Sequence, residues 1–174
     1  KGDNIMYNFE VSLCDKELYL GEYNLDEYSV LTYSWEDSSY QLFFGLDRHT
    51  FLGINSDTGR CYSVSIMLDA VIFELSERTI HIDAVCDMCY RNSEYKTLPA
   101  ASGGVIDDFR LKYYVNVKQG LIFIGDVSAD GEIIEYSQNN YALVKEGKLQ
   151  LLVIRVSPDI IDYICKHCLS SIYI

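Results

Sequence analysis

Residues 40–75 (YQLFFGLDRHTFLGINSDTGRCYSVSIMLDAVIFEL) constrain the fold more than any other part of the chain. Tyr40, Leu42, Phe44 and Leu46 alternate with Gln41 and Gly45, and Tyr62, Val64, Ile66 and Leu68 alternate with Cys61, Ser63 and Ser65. A period of two sends successive side chains to opposite faces, so these segments read as half-buried β-strands. Between them, Asn55-Ser-Asp-Thr-Gly59 supplies residues that tolerate left-handed backbone or hydrogen-bond their own main chain, which predicts a hairpin.

The same pattern recurs along the chain. Residues 7–13 (YNFEVSL) and 17–21 (ELYLG) read as a first pair of strands about Cys14-Asp-Lys16, and 28–35 (YSVLTYSW) as a third with Leu31, Tyr33 and Trp35 on one face. In 79–85 (TIHIDAV), Ile80 and Ile82 oppose His81 and Asp83. Residues 92–108, with Pro99 and the Gly103-Gly104 pair, lose all periodicity and read as a flexible loop. Strands resume at 111–117 (LKYYVNV) and at 121–124 (LIFI), whose unbroken apolar run marks a central strand. Residues 126–131 read as a turn, and 132–136 and 147–156 as further strands, with Ala129-Asp-Gly-Glu132 as a hairpin link.

The end of the chain changes in kind. Ser157 is placed as an N-cap, Pro158 as the first helical residue and Asp159 as an acid in the first turn, which predicts a helix over 157–174. Ile160, Ile161, Ile164, Cys165, Cys168, Leu169 and Ile172 form one apolar stripe, so that helix should lie across a sheet. The expected fold is α+β, mainly β: a single domain over 1–174, with a curved antiparallel sheet or two packed sheets and the C-terminal helix covering one face.

Composition narrows the setting. A chain of 174 residues with 49% hydrophobic content can bury roughly 70% of its unfolded surface, so it needs no staple to hold a core. Its apolar runs fall far short of the ~20 residues of a membrane span. The six cysteines accompany no export signal, which points to reduced thiols and a cytoplasmic location. Residues 1–5 precede Met6; they read either as a leader whose Lys-Gly-Asp codons resemble a bacterial ribosome-binding site, with the natural start at Met6, or as a genuine terminus. A net charge of −12 repels nucleic acid and anionic lipid; it serves either solubility or capture of a cationic partner.

Each constellation that might carry chemistry has a plainer account. Cys86-Asp-Met-Cys89 and Cys165-Lys-His-Cys168 supply four thiolates, the donor set of a closed zinc site. Against this, the pairs lie far apart in sequence and Cys165 and Cys168 fall on the helix stripe, where cysteine acts as a small hydrophobe. Asp126-x-Ser128-x-Asp130-Gly131 matches part of a calcium loop, but Ser137 stands where a bidentate glutamate is required. Asp57-Thr58-Gly59 has the aspartic-protease triplet once, where the chemistry needs two carboxylates. His49, His81 and His167 are scattered, and an enzyme would have to assemble its site from distant residues such as His81, Asp83 and Asp107.

Surface composition remains. Glu22, Asp26, Glu27, Glu36 and Asp37 make the first forty residues a candidate negative rim, with Tyr23 and Tyr28 beside the acids as contact groups. Fifteen tyrosines, many next to acids, suit a protein interface as well as they suit strands. A small, acidic, tyrosine-rich domain without a catalytic motif resembles the immunity proteins of bacterial toxin–immunity systems. The resemblance lies in overall character across the chain. It implies an inhibitor with no active site and no cofactor, bound to a basic toxin domain such as a nuclease and touching neither nucleic acid nor membrane itself. The other expectations are a β-rich carrier enclosing a small apolar ligand, and an enzyme with a dispersed site.

Overall fold

The structure is a computed structural model that describes residues 9–13, 21–25, 29–34, 41–55, 57–91, 104–105 and 111–170, with backbone alone for 21–25, 29–34, 41–44 and 104–105. In chain order its strands are β1 (Phe9–Leu13), β2 (Gly21–Leu25), β3 (Ser29–Ser34), β4 (Gln41–Gly45), β5 (Thr50–Asn55), β6 (Cys61–Met67) and β7 (Phe73–Leu75). They continue with β8 (Ala84–Tyr90), β9 (Gly104–Val105), β10 (Tyr113–Asn116), β11 (Leu121–Gly125), β12 (Ile134–Ser137), β13 (Asn140–Lys145) and β14 (Lys148–Arg155); helix α1 (Pro158–His167) follows.

These strands form two sheets, an eight-stranded one in the order β1-β8-β12-β13-β14-β11-β10-β7 and a six-stranded one in the order β2-β3-β6-β5-β4-β9. The fold is therefore α+β, mainly β, with two packed sheets. Most neighbours run antiparallel, while β7 with β10, β8 with β12 and β4 with β9 run parallel. Leu52, Ile54, Val64 and Ile66 from the smaller sheet meet Val115, Ile122, Ile124, Leu152 and Ile154 from the larger in one buried cluster. Ile160, Ile161 and Ile164 of α1 enter the same cluster, so the helix covers sheet as its stripe demands.

Local chemistry explains the central hairpin. Asn55 Oδ1 accepts from the Asp57 and Thr58 amides at 2.9 and 3.1 Å, and Gly59 takes φ +74°, so the predicted turn joins β5 to β6. A bulge follows, because Gly53 pairs with Ser63 and Ile54 with Cys61, leaving Tyr62 as the extra residue. Glycine leaves room at position 53, where a Cβ would stand 2.0 Å from Ser63 Oγ and 3.2 Å from Ser63 Cβ and Tyr62 Cζ and would make Ser63 turn away. The turn also ties the sheets together: the Tyr90 amide donates to the Gly59 carbonyl at 2.8 Å, and Arg60 bridges Cys89 on the side of β8 away from β1.

The larger sheet is buried on both faces around β11, as its unbroken apolar run requires. Leu121, Phe123, Leu143, Leu151 and Val153 form a second cluster, roofed by Ile80, Val127, Ala129 and Ile133 from two segments, 76–83 and 126–133, that cross the outer face.

Four expectations are corrected. Phe9–Leu13 pairs with β8, and the next described strand is β2 at Gly21–Leu25, in the other sheet; residues 14–20 of the expected first pair lie outside the described residues. Residues 129–132 are not a hairpin link, because β13 and β14 lie between β11 and β12 and the segment crosses over them. Residues 79–83 form that other crossing, with the strand beginning at Ala84. The helix stops at His167, because Cys168 C=O accepts from the Phe73 amide and the Ser170 amide donates to Phe73 C=O, drawing the chain alongside β7. Strand β13 was not anticipated; its turns are marked by Asn139 and by Glu146-Gly147, all at positive φ. Within 92–108 only Gly104–Val105 is described, as β9.

Candidate interaction surface

Two polar groups brace the molecule, one buried between the sheets and one around the hairpin turn. In the turn between β4 and β5, Asp47 Oδ1 accepts from the His49 and Thr50 amides at 2.7 and 2.8 Å, leaving Oδ2 for the Tyr113 hydroxyl at 2.8 Å. Tyr113 stands on β10 and also meets Thr50 Oγ1 at 2.6 Å, so this group bolts one sheet to the other. Burial, with the negative Asp47 beside it, pushes the Tyr113 hydroxyl up and keeps it protonated. Around the hairpin turn, Arg60 pairs with Asp87 at 2.8 Å, while Arg91 pairs with Glu10 and donates to the Thr58 carbonyl, both at 2.9 Å. Both sets hold elements together, the first inside the core and the second at the surface, where Arg91 and Glu10 are exposed.

The cysteine quartet is not gathered. Cys86 and Cys89 lie three apart on strand β8, which sends them to opposite faces: Cys86 joins the main core, and Cys89 lies outside that cluster with the charges of Arg91, Asp87 and Arg60 near it. Cys165 is exposed on α1, whereas Cys168 turns inward with its Sγ 3.5 Å from the Leu68 carbonyl. Burial pushes the Cys61, Cys89 and Cys168 thiols up, away from the thiolate a metal needs. Among the described residues no three His, Cys, Asp or Glu side chains are grouped to hold a metal ion. Asp126 of the calcium-like stretch spends Oδ1 on the Ser128 hydroxyl and amide, at 2.6 and 3.0 Å, bonds that lower its pKa.

The dispersed catalytic set is not assembled among described residues either: His81 and Asp83 are exposed on the first crossing segment, and Asp107 lies outside them. Of the predicted rim, Glu22 and Tyr23 lie on β2, described as backbone, and Asp26, Glu27, Tyr28, Glu36 and Asp37 fall outside the described residues. The tyrosine argument shifts. Tyr62, Tyr90, Tyr113, Tyr136 and Tyr141 are buried, so these are core residues.

What the structure brings together instead is a set of acids on the crossing segments. The first runs beside the second, held by Arg78 donating to Val127 C=O, Asp83 N donating to Ile133 C=O and Ile133 N donating to Asp83 Oδ2. Glu77, Asp83, Asp126, Asp130 and Glu132 are all exposed there, with Arg78 as the one cation in either segment. The density of acids in 126–132 was visible in sequence; its meeting with 77–83 depended on the crossover. Among the described residues no helix is long and apolar enough to cross a membrane. No protein-family model matches this chain, and no curated protein matches it.

Proposed function

We propose that this chain is an acidic protein-binding inhibitor of the immunity type: a cytoplasmic bacterial protein that covers the active site or substrate surface of a basic toxin domain, such as a nuclease. The observation that carries this reading is the acidic face of the crossing segments, five exposed carboxylates over a rigid sheet within a molecule of net charge −12. A nuclease must be cationic where it holds phosphate, and an acidic cover meets that same surface. Opposite fields also speed encounter by one to three orders of magnitude at low salt. Between the sheets, where a carrier would hold an apolar ligand, stand Leu52, Ile66, Ile122 and Ile154 at 0% exposure.

The test is native mass spectrometry of the chain captured from its own source at low and moderate salt, followed by association kinetics with whatever cationic polypeptide is retained. The expected result is a complex whose association slows about tenfold or more as salt rises. Glu77→Lys, Asp130→Lys and Glu132→Lys together should slow it further. A parallel set at Glu22, Asp26, Glu27, Glu36 and Asp37 tells whether the first forty residues share the contact. Salt-independent association, or recovery of the bare chain alone, would sink the reading.

A further inference from the structure

The eight-stranded sheet ends in two margins, β7 and β1, and among the described residues their outward groups are met differently. At β7 the outward groups of Phe73 are taken by Cys168 C=O and the Ser170 amide. At β1 the situation differs. The Phe9 amide points away from β8, to the Gly147 carbonyl at 2.8 Å, and its partner's amide, Tyr90, points the other way, to Gly59. Phe9 and Tyr90 are thus a non-hydrogen-bonded pair, and by the alternation of an antiparallel ladder so are Val11 with Met88 and Leu13 with Cys86. The N–H and C=O groups of Val11 and Leu13 therefore face outward along the margin, where no described residue bonds them. Their side chains are open as well: Leu13 is 81% exposed and Val11 38%.

We propose that the β1 margin is a strand-pairing site, and that its occupant is an extended segment of a cationic partner protein. Outward backbone groups at every second residue ask for an extended chain rather than a helix. The exposed Val11 and Leu13 ask for apolar residues at alternate positions of that strand. Charge selects between sources. Glu10 is paired with Arg91 and Asp87 with Arg60, which leaves the field of the whole molecule, at −12, to act on an incoming strand. A second copy brings the same −12 and is repelled; a cationic segment is drawn in. Native proteins blunt such edges with lysine, proline or bulges, and β1 has none of these. The choice of a cationic partner rests on the function proposed above; the strand mode does not.

The probe is a synthetic peptide of alternating valine and threonine flanked by lysines, titrated by fluorescence anisotropy against the full chain, with a copy N-methylated at alternate amides as control. Val11→Pro removes only an outward donor, leaving the ladder to β8 intact, which is the one place in a sheet that proline fits. Binding should fall tenfold or more with Val11→Pro, with the N-methylated peptide and with higher salt. Leu13→Lys, at an exposed position that does not endanger folding, should weaken it severalfold. No binding by the lysine-flanked peptide, or binding indifferent to both variants and to N-methylation, overturns the proposal. A dimer of the chain by light scattering that Val11→Pro dissolves overturns its choice of occupant. If a cationic protein is captured in the salt-sensitive manner described above, yet both variants bind it unchanged, the edge proposal fails while the function stands. Peptide binding at the edge with no cationic protein captured gives the reverse.

Discussion

Tyr113 and Tyr136 are both buried tyrosines on strands of one sheet, yet their hydroxyls stand in opposite circumstances. Tyr113 bonds Asp47 and Thr50, and Tyr136 finds no hydrogen-bond partner among the described residues. Removing the first hydroxyl leaves a buried carboxylate oxygen short of a donor, so Tyr113→Phe should cost about 1–3 kcal/mol in urea unfolding. Removing the second discards a group that lost its hydration and gained nothing, so Tyr136→Phe should be neutral or stabilise by up to about 1–2 kcal/mol. Equal losses in the two variants would mean that Tyr136 holds an internal water. The cysteines divide in the same way. Among the described cysteines Cys165 is exposed and Cys61, Cys86, Cys89 and Cys168 are buried, so iodoacetamide at pH 8 should modify Cys165 before those four, which react only at the rate of unfolding, as peptide mass spectrometry resolves.

At the scale of elements, the crossing segment that carries Asp126 hangs on one glycine. Gly125 has φ +114°, and a Cβ there would lie 2.6 Å from the Gln150 carbonyl oxygen, at a bulge where Gln150 is the extra residue of β14. That carbonyl also receives the Asp126 amide at 3.0 Å. Gly125→Ala should cost about 1–3 kcal/mol and speed hydrogen exchange at Asp126, while the amides of the β5–β6 hairpin keep their protection. The case shows which links a linear pattern carries. Alternation in β6, the apolar run in β11 and the start of α1 at Pro158 were legible because each is a local matter, although the Ser157 side chain makes no capping bond and its hydroxyl meets Asp159 instead. Pairing was not: alternation says which side of a strand is buried and nothing of its neighbour, so β1 was assigned to the strand after it and not to β8, some eighty residues away. Turn residues at 126–131 serve a crossover as well as a hairpin. For the cysteine quartet the plainer account, packing, was already the stronger one in sequence; what sequence could not show is that C-x-x-C spacing on strand β8 sends Cys86 and Cys89 to opposite faces. The acids of the crossing face were each visible, and only the crossover put them side by side.

At the scale of the whole molecule, charge and burial act together at high pH. Cys61 and Tyr136 both titrate above their ordinary values of 9.0 and 10.0, chiefly because burial disfavours the charged forms, with Cys89 adding to the rise at Cys61 and Cys61 to the rise at Tyr136. Below pH 9 both are protonated in the folded and the unfolded chain, so their contribution is fully present and does not change. Above pH 9 for the thiol, and above pH 10 for the phenol, the unfolded chain releases a proton that the folded chain keeps. Each group then lowers stability by about 1.4 kcal/mol per pH unit, until the folded state also ionises. The carboxylates show the opposite sign: Asp126 and Asp159, held low by the hydroxyls of Ser128 and Ser157, add stability above about pH 4 that is lost as acid protonates them. The melting temperature should thus be level around neutrality and fall steeply above pH 9, more so at low salt, where a molecule already at −12 repels itself most. Cys61→Ala separates the two causes. Its cavity should lower stability at pH 7, yet its loss between pH 9 and 10 should be shallower than that of the parent chain, whereas general repulsion alone would leave both slopes the same. A parent stability that stays flat to pH 11 would mean that the thiol and the phenol are not shut in the core at all.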